Sequence, residues 1–262
     1  MKLSFTSYLM AKDLNLDQSF ELAKLSGCAG VEFRTGDPSF YKHGVEVELT
    51  AEERRKIRRR AEDDYLEISC IASGCRFESP DIKIRQENIE LAKENVKLAY
   101  DLGCPNVRVF GNDVPEGVNA QDCVEYVTES IAEIGEFADT LGINVLLEMH
   151  DDFNYWGYAL PVVKSIDKPN VGILYNCDLR DLIFGSMIET FERVKKYVRH
   201  VHMHDLDHGY PYLQLFQELY KMGYEGYLSA EIYKVTSDPI RVLTNHNIGV
   251  KALIELAKHT AK

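Results

Sequence analysis

Eight short apolar or β-branched runs, each followed by a longer amphipathic stretch, constrain this chain more than any other feature, because strands alternating with helices pair in parallel. The runs cover 2–6, 30–34, 67–72, 106–110, 143–148, 171–175, 198–203 and 227–232. Helices are expected over 17–26, 50–64, 84–102, 120–141, 187–197, 212–222 and 240–260, and the short fifth unit leaves only 158–166 for its helix. Leu102-Gly103, Leu141-Gly142 and Met222-Gly223 carry the stop signal of a glycine just past the last turn. Eight such units in 262 residues match an α/β chain closed into a (β/α)₈ (TIM) barrel. The rival, a doubly wound open sheet, usually carries a glycine-rich phosphate loop after its first strand. Ser7-Tyr8-Leu9-Met10 is no such loop.

No Pro/Gly/Ser-rich linker interrupts the pattern, so one domain over 1–262 is expected. A formal charge of −12 disfavours nucleic acid and anionic membranes as partners. The basic run Arg54–Arg60 is flanked by acids and reads as a solvated helix face. No apolar stretch is long enough to span a bilayer, and the N-terminus lacks a leader pattern, which points to the cytoplasm. Six scattered cysteines without a C-x-x-C pair suggest reduced thiols.

Strand parity locates the polar chemistry. In the fifth strand Val145, Leu147 and Met149 form the helix-facing set, which turns Glu148 and His150 inward. In the seventh, Val201 and Met203 face the helices and His200, His202 and His204 face inward. In the eighth, Leu228, Ala230 and Ile232 leave Glu231 inside, and in the sixth Asn176 and Asp178 share the inward parity. Two carboxylates and an imidazole at one rim call for a positive centre, and mixed O/N ligands suit Mn²⁺, Mg²⁺, Co²⁺ or Zn²⁺. Arg34 and Arg108 also point inward and could meet a phosphate or carboxylate, or pair with barrel acids such as Glu32.

Val145–His150, Asn170–Asn176, His200–Asp205 and Gly223–Glu231 together resemble the xylose isomerase-like barrel superfamily of sugar phosphate isomerases and epimerases, over essentially the whole chain. The resemblance implies a metal held by a Glu, an Asp, a His and a Glu from strands five to eight. By position these fall on Glu148, Asn176, His202 and Glu231. Asn176 departs from the family's Asp, and Leu179 stands where a substrate-contacting His is usual. Asp178, about 7 Å further along an extended strand, is an alternative ligand.

The resemblance further implies α-proton abstraction through an enediolate, with Glu148 and Glu231 as catalytic base and acid. His150, Arg34, Arg108, His204 and Trp156 are the candidate substrate contacts, Trp156 with Phe153 and Tyr155 as an aromatic wall. His200 is expected to orient the ligands from behind. The implied partner is a small carbohydrate, phosphorylated or not, and barrels of this kind often form homo-oligomers. A keto-inositol (inosose) dehydratase and a non-catalytic sugar-binding barrel are the alternatives. A trinuclear DNA-repair endonuclease is disfavoured, since Ala72–Cys75 and Phe110–Asn112 carry no histidine.

Overall fold

Helix starts are written locally. Asn15 and Thr50 each close a reciprocal capping box, with Gln18 and Glu53 respectively, and Asp81, Asn119 and Asp238 cap three further helices. Gly103, Gly142 and Gly223 adopt φ of +71°, +67° and +68°, the left-handed conformation a glycine takes without a Cβ clash.

In the computed structural model, which describes residues 1–261, these elements alternate without exception. The order is β1 (Lys2–Thr6), α1 (Leu16–Ser26), β2 (Gly30–Arg34), α2 (Ala51–Asp63), β3 (Glu67–Arg76), α3 (Ile82–Leu102), β4 (Asn106–Phe110) and α4 (Ala120–Asp139). There follow β5 (Asn144–Glu148), α5 (Trp156–Ile166), β6 (Val171–Asn176), α6 (Ile188–Val194), β7 (Val198–Met203), α7 (Tyr212–Lys221), β8 (Tyr227–Ala230) and α8 (Pro239–Thr260). All eight strands pair in parallel in sequence order, and β8 closes on β1 through Lys2↔Tyr227 and Phe5↔Ala230. The chain is therefore a single-domain TIM barrel.

Several element boundaries differ from the expectation, three of them with consequences for the site. β3 runs to Arg76, and its register against β4 shifts between Ala72 and Arg76; the Ser73 hydroxyl donates to the Arg108 carbonyl at 2.7 Å and holds the bulge in place. β8 ends at Ala230, yet Glu231 N still donates to Met203 O at 2.7 Å, so Glu231 stays anchored just past the last ladder pair. Only Ile188–Val194 is α-helical in the sixth unit, and 195–197 tightens into a 3₁₀ turn that leads into β7.

The apolar core lies between barrel and helices. Val31, Phe33, Val107, Val109, Val145, Leu147, Ile173, Val201, Met203 and Leu228 are buried there, and this burial drives the fold. The opposite parity fills the barrel interior with buried polar side chains, among them Ser4, Glu32, Arg108, Glu148, Asn176, His200, His202 and Ser229. All six cysteines are buried and free. No described helix is long and apolar enough to cross a membrane.

Candidate metal centre and active site

Register brings the polar residues level. Asn176 pairs with His202, and His202 with Ser229, so the ends of β6, β7 and β8 present their inward groups at similar height. His202 is the hub. Its Nε2 donates to Glu32 Oε1 at 2.8 Å, and its Nδ1 lies 3.0 Å from Glu148 Oε1 and 3.6 Å from Glu231 Oε2. His200 Nε2 donates to the other oxygen of Glu32 at 2.8 Å. All five side chains are essentially excluded from solvent.

Two groups of three here have the spacing of metal ligands, Glu32–His200–His202 and Glu148–His202–Glu231, with each group's donor atoms within 4.8 Å of one another. The first is satisfied internally, because both Glu32 oxygens already accept imidazole N–H bonds. The second is not: Glu148 Oε2 and Glu231 Oε2 have no hydrogen-bond partner, and neither does the neighbouring Asn176 Oδ1. Buried oxygens without a donor are costly, and a cation held between Glu148, His202 and Glu231 would relieve that cost. Glu148, His202 and Glu231 therefore fit a divalent ion, with Glu32 fixing the His202 tautomer so that Nδ1 is the free ligand atom.

The electrostatics agree with this. Burial opposes ionisation of Glu32 and Glu148, but the His202 and His200 imidazoles around Glu32, and Arg108 and His202 around Glu148, hold both carboxyls well below the usual range. Burial likewise works against a charged His202, yet Glu32, Glu148 and Glu231 together raise it to about 10. The proton held there stands in for the positive charge that the carboxylates require.

The arginines pair with the acids of this group rather than with Glu32. Arg34 forms an ion pair with Glu231 and lies 3.9 Å over the Tyr8 ring, and Arg108 Nη1 is 3.3 Å from Glu148 Oε2 with its guanidinium 3.9 Å over Phe110. The Nε of each is buried without a hydrogen-bond partner. His204 stacks on Tyr233 at 4.8 Å and its Nδ1 bonds the Glu231 carbonyl at 3.2 Å. His150 sits at the rim, its Nδ1 2.8 Å from Asp151 Oδ2 and its ring edge-on to Phe110.

Three expected contributors lie elsewhere. Asp178 is turned into its own loop, where it caps the 179–181 turn and accepts from Arg180 Nε at 3.0 Å and Nη2 at 2.6 Å, so both of its oxygens are engaged there. Trp156 packs beneath the Arg193 guanidinium at 4.1 Å, against α6. Phe153 is fully buried against Gly111, where a Cβ would come within 2.3 Å of its ring. Leu179 is exposed. Conversely, parity placed Glu32 inside but did not single it out, since only barrel closure carries β2 across to β7. Tyr8 and Tyr233 share the inward parity of β1 and β8 but lie beyond the strand ends, so their meeting at the mouth is likewise tertiary.

The comparisons agree with this architecture. A family model described as xylose isomerase-like TIM barrel matches residues 20–255. A 2-oxo-tetronate isomerase from Haemophilus influenzae is 25% identical over 167 residues, 58% of this chain and 63% of the relative, so the match spans under two thirds of that protein's length. An L-ribulose 3-epimerase structure superposes with a TM-score of 0.82 at 16% identity, covering 99% of this chain and 96% of that one. The IOLI protein with a bound zinc atom gives 0.78 at 16% identity, over 100% and 99% of the two chains. At such identities the structural likeness speaks to the fold, and the family match extends it to descent: this chain belongs to the xylose isomerase-like TIM barrel family.

Proposed function

We propose that this protein is a metal-dependent isomerase or epimerase of a small sugar or sugar acid, working by abstraction of the proton beside a carbonyl. The observation that carries this is the Glu148–His202–Glu231 group, with donor atoms within 4.8 Å and carboxylate oxygens left without partners. Asn176 would complete the set through its amide oxygen, which is uncharged and should bind more weakly than a carboxylate. A bound divalent ion of the Mn²⁺, Mg²⁺, Co²⁺ or Zn²⁺ type would supply a Lewis acid that polarises the substrate carbonyl.

The residues supply the rest. Glu148, held ionised beside Arg108, is available to take the α-proton. Glu231 presents a second carboxylate to the same small volume and can return a proton to the neighbouring carbon or to the opposite face. The Arg34 and Arg108 guanidiniums would hold substrate oxygens and favour the negative charge that builds on the enediolate. A guanidinium at each carboxylate also suits a substrate carboxylate, and the Haemophilus relative is named for an oxo-acid sugar. His204 and His150 are the rim contacts for hydroxyl groups.

The test is metal analysis of protein purified without chelator, followed by exchange of solvent deuterium into ketoses, keto-inositols and 2-oxo sugar acids. Loss of water from a keto-inositol would make the enzyme a dehydratase instead; absence of both metal and exchange would overturn the catalytic reading. Glu231→Gln should lower exchange by at least about 100-fold, the typical contribution of a general acid or base, with circular dichroism unchanged. Full activity in that variant would remove Glu231 from the proton path.

A further inference from the structure

Beside the mouth lies a cavity of about 470 Å³, whose walls include Thr35, Gly36, Tyr41, Glu46, Gly74 and Leu91. None of these residues belongs to the cluster described above, and the volume is in the range of small-molecule sites.

Three independent features build it. The segment between β2 and α2, 35–50, is long and without regular structure, and loops of that length in compact domains usually serve a function. The opposite wall is the unexpected extension of β3, where the register shift beside Gly74 opens the sheet, a device common next to binding sites. Finally, Glu46 is 8% exposed, and while its Oε2 accepts the Gly36 N–H at 2.8 Å, its Oε1 has no partner at all.

The lining defines the ligand. Asp37 and Glu48 join Glu46, no arginine or lysine is among the lining residues, and none of the three acids is in an ion pair among the described residues. Such a wall accepts hydrogen bonds and repels anions, which disfavours a phosphate or carboxylate. Burial pushes the Glu46 carboxyl up from its ordinary range, with Glu48 and Asp37 adding to the effect, as expected of an acceptor that lacks its donor. Tyr41 supplies an aromatic face, and the lining residue Thr35 directly follows Arg34, whose guanidinium pairs with Glu231, so the cavity borders the active-site mouth.

We infer that this cavity is a second subsite, which receives a neutral, hydroxyl-rich substituent such as a glycosyl unit carried by the sugar bound at Glu148 and Glu231. The inference rests on the sugar-processing reading and adds that the substrate is larger than a monosaccharide. Glu46 Oε1 accepts a hydroxyl of the distal unit and Tyr41 packs on its ring.

The experiment is calorimetric titration of the metal-loaded protein with fructose and with the glucosyl-fructoses turanose, maltulose, leucrose and palatinose. At least one disaccharide should bind about tenfold more tightly than fructose, the worth of one or two newly satisfied hydrogen bonds. Glu46→Ala should remove that gain and leave fructose binding unchanged. Because Glu46 also holds the Gly36 N–H, Leu91→Trp serves as a second variant, filling the cavity from α3 without touching the loop's hydrogen bonds; it too should erase the gain alone. Disaccharides that bind no better than fructose, or variants that weaken both ligands alike, would overturn the subsite. Exchange into fructose without a disaccharide gain sinks only the subsite, and a Glu46-dependent gain without any exchange supports the subsite while sinking the catalytic reading.

Discussion

At the scale of single residues, the centre is a set of acids arranged around one imidazole. Glu32 accepts from both His200 and His202, and so does for the candidate metal ligand His202 what a carboxylate behind a histidine generally does: it sets the tautomer and the ring's orientation. Glu32→Gln keeps the volume but lets the amide offer an N–H where only an acceptor works. We expect the metal dissociation constant to rise about 10–100-fold, measured by competition with a chromophoric chelator. Asn176 carries a different expectation. Its Oδ1 is buried and unpartnered beside His202, and Asn176→Asp would add a charged oxygen there. The same competition assay should show tighter binding; an unchanged constant would leave the fourth position to water or substrate.

At the scale of elements, the β6–α6 connection shows how loop chemistry and strand chemistry separate. Asp178 continues the inward parity of Asn176, yet the chain bends into a 3₁₀ turn and spends Asp178 on capping it. Parity holds only while the backbone stays extended, which is why the alternating pattern could not decide between the two residues. The same turn buries Asp181, whose Oδ1 accepts from Asn154 at 2.8 Å while Oδ2 has no partner. Burial, with the nearby Asp178 charge, pushes this carboxyl up to about 8. Between its unfolded pKa near 4 and its folded pKa near 8 the unfolded chain releases the proton first. Its contribution to stability is therefore full below about pH 4 and is lost as pH rises towards 8, at up to about 1.4 kcal/mol per pH unit. Urea unfolding from pH 5 to 8 should show that slope in the wild type relative to Asp181→Asn, which cannot ionise. Parallel curves would mean that Asp181 titrates normally.

At the scale of the whole molecule, the candidate ligands come from β5, β7 and the residue after β8, with β2 behind them and β6 alongside, so an ion there would tie together strands far apart in sequence. Ligand that binds only the folded state adds about 2.7 kcal/mol at a free concentration 100 times its dissociation constant. Removing metal by chelation and dialysis should lower the unfolding midpoint by about 5–10 °C, given 2–4 °C per kcal/mol for a chain of this size, and adding the metal back should restore it. No change in midpoint would argue against a bound ion. The barrel itself was legible from the sequence, because the strand–helix period repeats along the chain and five of the eight helices carry a side-chain N-cap, and the inward facing of Glu148, His202 and Glu231 followed from strand parity alone. Closure of the sheet decided what the linear pattern could not carry: which acid each arginine meets, that Glu32 spans the barrel to hold both histidines, and that Trp156 packs on α6. Those contacts join strands and helices distant in the chain, so they depend on register and distance across the barrel, which local propensity does not encode.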